Sequence, residues 1–152
     1  MVRLLMNLLQ LQSRLIKLTE LREFVNLETF RDEFLNSPLE GFDQYVQFKA
    51  DNYYSNTLYR ANKFEIRLLC WKPLQETPRH PHPENGCLMK ILEGKLIEDK
   101  FLDNNNIQTV YKKGDVGYIK ATESHILRNT EIDSISLHIY SPSGFYDAIN
   151  KQ

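Results

Sequence analysis

From Phe64 onward the chain is cut into short apolar runs with a period of two, and this pattern limits its fold more than any other feature. Phe64, Ile66, Leu68 and Cys70 alternate with Glu65, Arg67, Leu69 and Trp71, and such alternation puts successive side chains on opposite faces of a strand. Further strands are predicted at 87–92, 95–101, 107–111, 116–119, 125–128 and 135–141. Turn chemistry separates them: Glu93-Gly94, Asp103-Asn104-Asn105-Asn106 and Lys113-Gly114-Asp115. About seven short strands at this density predict a mainly β chain folded as a small antiparallel β-barrel or jelly roll.

The first third reads differently. Leu4, Leu8, Leu11, Leu15 and Leu18 recur at spacings of four and three, which gathers them on one stripe of an amphipathic helix. A second helical stretch is expected over 20–34. A third is expected to begin at Ser37, where Ser37-Pro38-Leu39-Glu40 offers a capping box with proline at the first helical position. The expectation is a single domain over 1–152, with helices in 1–50 packed on a barrel in 60–145. At 152 residues the chain can bury roughly two thirds of its unfolded surface, and no repeat or linker interrupts it.

Nineteen basic and twenty acidic residues leave a net charge of -1, without the basic excess of a nucleic-acid binder. A small neutral or zwitterionic ligand is the expected partner, and a monomer the expected state. Two cysteines, Cys70 and Cys87, are too few for a disulfide-stapled secreted scaffold and suit a reducing cytoplasm. The leucine-rich stretch 1–11 resembles a signal peptide only superficially, because Asn7, Gln10 and Gln12 interrupt it and no small-residue cleavage site follows. No apolar run reaches membrane-spanning length.

His80 and His82 are two residues apart, so on a strand they project to the same side and can offer imidazole nitrogens to one ion. Pro81 and Pro83 stiffen their approach. Taken alone, a His-x-His pair fits a proline-rich surface loop better, and His125 beside Ile126 and Leu127 fits a satisfied interior residue. The spacing argues for more. His80-Pro81-His82, four residues, Cys87, six residues and Gly94 resemble a first cupin motif with a thiol in place of its acidic ligand. Gly114, ten residues, His125, three residues and Asn129 resemble the second, with Lys120 and Thr122 where proline and glycine are usual. Three neutral imidazoles would leave a divalent ion its full charge and open positions, which favours redox chemistry, although imidazole suits iron, copper, nickel and zinc alike.

Leu69-Cys70-Trp71, the histidines with Cys87, His125, and Ser136-Leu137-His138-Ile139-Tyr140-Ser141-Pro142 together resemble the cysteine dioxygenase family of cupins. The resemblance implies Fe(II) held by His80, His82 and His125, with a small thiol and dioxygen as partners and L-cysteine oxidised to cysteine sulfinic acid. It implies that Tyr140 stands beside the iron, that Ser136 and His138 bond in series to its hydroxyl, and that a thioether can join Cys87 to Tyr140. It also implies an arginine for the substrate carboxylate. Arg60 is the best match, with Leu58 where the family often has tyrosine, and Arg67, Arg79 and Arg128 remain alternatives. Two rival readings are a dioxygenase of 3-mercaptopropionate or another small thiol, and a non-catalytic cupin that binds a metal or metabolite.

Overall fold

The computed structural model describes residues 5–20 and 26–150, with side chains described as far as Asp147. Helix α1 (Leu8–Glu20) buries Leu11, Leu15 and Thr19 on one stripe; Leu4 lies outside the described residues. The Asn7 side chain accepts from the Gln10 amide at 2.9 Å and the Gln10 side chain accepts from the Asn7 amide at 2.8 Å, a reciprocal cap that starts the helix. The second expected stretch is a 3-10 turn, Leu27–Phe30, running into α2 (Arg31–Asn36); 21–25 lie outside the described residues.

No helix starts at Ser37. There the chain runs extended, with Leu39 bridged to Met6. The Met6 amide donates to Pro38 O at 2.8 Å and the Glu40 amide to Met6 O at 3.1 Å. That pairing takes up backbone groups a helix would need, so long-range contact overrides the local capping signal. Lys90 is 5% exposed, and its ammonium reaches Phe34 O at 2.8 Å and Ser37 O at 2.9 Å. It thus satisfies carbonyls left over at the end of α2.

Eight strands follow: β1 (Tyr54–Arg60), β2 (Glu65–Trp71), β3 (Cys87–Glu93), β4 (Lys95–Leu102), β5 (Asn105–Lys112), β6 (Val116–Ile119), β7 (Ser124–Asn129) and β8 (Ser134–Tyr140). A short C-terminal helix, α3 (Phe145–Asn150), ends the described chain. β1 was not anticipated, because its mostly polar residues show no apolar alternation. The turn expected over 103–106 is tighter, since Leu102 already pairs with Asn105.

The strands form two sheets, ordered β1-β2-β8-β3-β6 and β5-β4-β7. All named pairings are antiparallel. Hydrogen bonding does not close around the two sheets, which face each other as a jelly roll. Leu68, Leu88, Leu137 and Ile139, on one face of the five-stranded sheet, join Leu11, Leu15, Leu27 and Phe34 in one core. The other face adds Leu69, Trp71, Met89 and Ile91 to a second core with Leu96 and Leu127 of the smaller sheet. No helix among the described residues is long and apolar enough to cross a membrane.

Candidate metal centre

Strand parity fixes which side chains look into the space between the sheets. Arg67 pairs with His138 and Leu69 with Ser136 across β2 and β8; Cys87 pairs with Tyr140 and Met89 with His138 across β3 and β8. Directly opposite residues share a face, so Ser136, His138, Tyr140, Cys87 and Arg67 all point inward. The segment between β2 and β3 crosses the open end, and His80 is bridged to His125 of β7. His82 is not on a strand, yet the turn through Pro81 delivers it to the same point.

His80, His82 and His125 offer ligand atoms within 4.8 Å of one another. His125 Nε2 lies 2.9 Å from His80 Nε2 and 3.0 Å from His82 Nε2. Every Nδ1 is already engaged: His80 with Pro78 O at 2.9 Å, His82 with Glu123 O at 2.9 Å, and His125 with the Glu98 carboxylate at 2.7 Å. Those oxygens accept, so each Nδ1 carries the proton and each Nε2 presents a lone pair. Three lone pairs facing one another repel unless a cation lies among them, and the donor set therefore fits a metal ion.

Electrostatics keep the imidazoles ready. Burial holds all three below the ordinary histidine value, His82 at about 3, so no proton need leave for a metal to bind. Glu98 is fully buried, takes a second hydrogen bond from the Tyr111 hydroxyl at 3.1 Å, and orients the His125 ring as outer-sphere carboxylates of histidine ligands do. Sequence reading missed Glu98. On β4 the inward residues Leu96, Glu98 and Lys100 and the outward residues Ile97, Asp99 and Phe101 both mix apolar with charged, so parity gave no phase.

Tyr140, His138 and Ser136 form a buried relay. Trp71 Nε1 donates to Ser136 Oγ at 3.0 Å, Ser136 Oγ lies 2.7 Å from His138 Nε2, and His138 Nδ1 lies 3.3 Å from the Tyr140 hydroxyl. Ser136 is fully buried, and His138 Nε2 is the acceptor its proton reaches among the described residues, so the serine donates to Nε2. His138 then donates from Nδ1 to the Tyr140 oxygen, and the Tyr140 proton is left to point into the cavity. Burial holds His138 well below and Tyr140 well above their ordinary values, so both rings stay neutral.

Cys87 follows Gly86, whose φ of +86° and closeness to the Tyr118 ring suit no side chain larger than hydrogen. Burial pushes the Cys87 thiol well up. Its sulfur is not among the converging ligand atoms, which are those of His80, His82 and His125. The cavity of about 250 Å³ is also lined by Tyr53, Ser55, Thr77 and Tyr146, none of which sequence reading singled out. Tyr146 of α3 lies over the histidines, its ring edge-on to His80 and Tyr140 and its hydroxyl donating to Pro81 O at 3.0 Å.

Arg60 is not brought to this cavity. At the end of β1 it stands opposite Glu65, and its side chain, 45% exposed, pairs with Asp147. Arg60, the best match in the sequence for a carboxylate-binding arginine, is not among the residues that line the cavity here. Arg128 pairs with Asp99 on the outer side of its sheet. Of the four candidate arginines, Arg67 and Arg79 line the cavity.

The cysteine dioxygenase type I family model matches residues 5–151. Cysteine dioxygenase type 1 of Bos taurus is 28% identical over 136 residues, spanning 79% of this chain and 67% of that protein. The Danio rerio protein of the same description is 26% identical over 133 residues, 78% and 66% of the two chains; the Homo sapiens protein is 27% identical over 129 residues, 76% and 64%. The chain thus spans about two thirds of the length of these relatives. Among solved structures, a Klebsiella pneumoniae protein with a double-stranded β-helix domain superposes with a TM-score of 0.61 at 21% identity, over 71% of this chain and 92% of its own. A cupin protein from Desulfovibrio desulfuricans gives 0.58 at 21%, over 68% and 94%. These two likenesses concern the fold alone.

Proposed function

Because the chain belongs to the cysteine dioxygenase type I family of cupin-fold, non-haem iron oxidoreductases, we propose that it oxidises L-cysteine to cysteine sulfinic acid with dioxygen and Fe(II). The observation that carries this reading is the meeting of three imidazole lone pairs at 2.9–3.0 Å in the same cavity as the Ser136–His138–Tyr140 relay. His80, His82 and His125 would hold the ion. Ferrous iron, when bound there, would supply the redox chemistry that adds both atoms of dioxygen to a thiol sulfur.

The chain's own residues arrange the rest. His82 and His125 are 3% and 2% exposed, so electrostatic contacts to them strengthen. Tyr140, held neutral with its proton turned inward, donates a hydrogen bond to the substrate or to oxygen. Ser136 and Trp71 set the polarity of that bond from behind. Cys87 stands directly opposite Tyr140 across the β3–β8 pair, which supports a thioether between its sulfur and the tyrosine ring, the two hydrogens lost passing to dioxygen. Two free, buried thiols suit a reducing cytoplasm.

A second reading keeps the chemistry and changes the substrate to 3-mercaptopropionate, which differs from L-cysteine only in lacking the amine. Oxygen consumption by anaerobically iron-loaded protein tests the proposal. L-Cysteine-dependent uptake with sulfinate formed in equal amount is expected; stoichiometric zinc and no uptake with any small thiol would instead favour a non-catalytic metal-binding cupin.

A further inference from the structure

We infer that Tyr146 is the gate of the metal cavity: reaching over from α3, it roofs the mouth and limits the size of the thiol that arrives at the histidines. This inference rests on the thiol dioxygenase reading of the cavity. Among the lining residues, Ser55, Pro78, Arg79 and Pro81 are exposed and mark where the cavity meets solvent. Tyr146, half-buried, reaches that rim, where its hydroxyl donates to Pro81 O at 3.0 Å. Its ring centroid lies 5.8 Å from that of His80 and 5.1 Å from that of Tyr140, so one phenol covers a ligand histidine and the relay tyrosine together.

The two sides of this roof are held differently. Just before α3, the Ser143 hydroxyl donates to Asn62 O at 3.0 Å and the Gly144 amide to the Glu65 carboxylate at 3.1 Å. Gly144 has a φ of +80°, and a Cβ there would meet Arg60 Nη2 at 2.5 Å, so the turn takes glycine. Asp147, on α3 itself, pairs with Arg60. These partners all belong to β1, β2 or the turn between them. Across the mouth the tie runs through Pro81, the residue between two of the ligand histidines. A hydrogen bond to an exposed carbonyl is readily exchanged for one to water, so the phenol can rotate off the mouth about its own side-chain bonds while α3 stays anchored.

With the roof in place the cavity measures about 250 Å³, below the roughly 300 Å³ at which pockets for drug-sized molecules begin. That space suits a thiol of amino-acid size. A bulkier one must displace the ring and forfeit its packing on Cys87, Ile119 and Tyr140, and this lost contact sets the size limit.

Calorimetric titration of L-cysteine and L-penicillamine into iron-loaded protein under argon tests the gate without turnover. The two thiols share amine, carboxylate and sulfur, and penicillamine adds two methyl groups beside the sulfur. Wild type is expected to prefer L-cysteine, and Tyr146→Ala to cut that preference by roughly tenfold or more. Tyr146→Phe keeps the ring but loses the tie to Pro81. It is expected to hold the preference within about twofold while L-cysteine enters and leaves roughly threefold to tenfold faster in stopped-flow mixing. An unchanged preference in Tyr146→Ala, or unchanged exchange rates in Tyr146→Phe, would overturn the inference. Should Tyr146→Ala fail to fold, the Tyr146→Phe rates decide. Equal affinity of wild type for the two thiols would end the inference and leave the dioxygenase reading standing; if wild type binds neither, that reading falls and the inference with it.

Discussion

Glu98 and Ser136 each act on the centre through another side chain, and their removal should leave different traces. Glu98→Gln keeps the shape but weakens the hold on His125 Nδ1, so metal affinity should fall by roughly tenfold to a hundredfold; competition with a chromogenic chelator measures it, and unchanged affinity would contradict the orienting role. Ser136→Ala strips the Trp71 indole and His138 Nε2 of their shared partner without touching the histidine cluster. Turnover should fall by about tenfold or more while bound metal and KM stay near wild type, as paired metal analysis and steady-state kinetics would show. At this scale the sequence exposed His80, His82, His125 and the Ser136–His138–Tyr140 row, because fixed spacing and strand parity carry that information. Glu98, Ser55 and Tyr146 escaped it, because they reach the cavity from β4, β1 and α3, whose phase or existence depends on tertiary pairing, and Tyr53 escaped it with them because it directly precedes β1.

Among the elements, β2 shows why a clean alternation was readable and a simple inside-outside interpretation was not. Both of its faces are almost wholly buried, one under the helices and one against the second sheet, so Leu69 and Trp71 are as enclosed as Ile66 and Leu68. The strands from β2 to β8 were legible from apolar period and turn residues, whereas β1, polar and at the sheet edge, was not. The missing helix at Ser37 has the same origin: its capping signal is local, but the bridge to Met6 and the grip of Lys90 on Phe34 O and Ser37 O are long-range. Lys90→Met should therefore lose about 1–3 kcal/mol of stability, because it strands buried carbonyls of α2; urea unfolding reads this, and a neutral outcome would show that those carbonyls find other donors.

Taken as a whole, the molecule spends all four of its histidines in one buried cluster, and this couples its stability to pH. In the unfolded chain they titrate near 6.5; in the folded protein burial holds all four lower, His82 at about 3. Above pH 6.5 neither state is protonated and stability is full. As pH falls below 6.5 the unfolded chain takes up protons that the folded one refuses, so stability declines by up to about 1.4 kcal/mol per pH unit for each histidine. Glu98, raised above its ordinary value of 4.5 by burial, works the other way at the acid end. Metal-free protein should thus melt at progressively lower temperature from pH 6.5 downward, and a flat profile over that window would contradict the neutral cluster. The claim on which everything else turns is that this cluster, loaded with iron, puts both atoms of dioxygen on a thiol sulfur. Mass spectrometry of the product formed from L-cysteine under isotopically heavy dioxygen tests it directly: the account predicts a sulfinate carrying two heavy oxygens, and recovery of only unlabelled thiol or disulfide would contradict it.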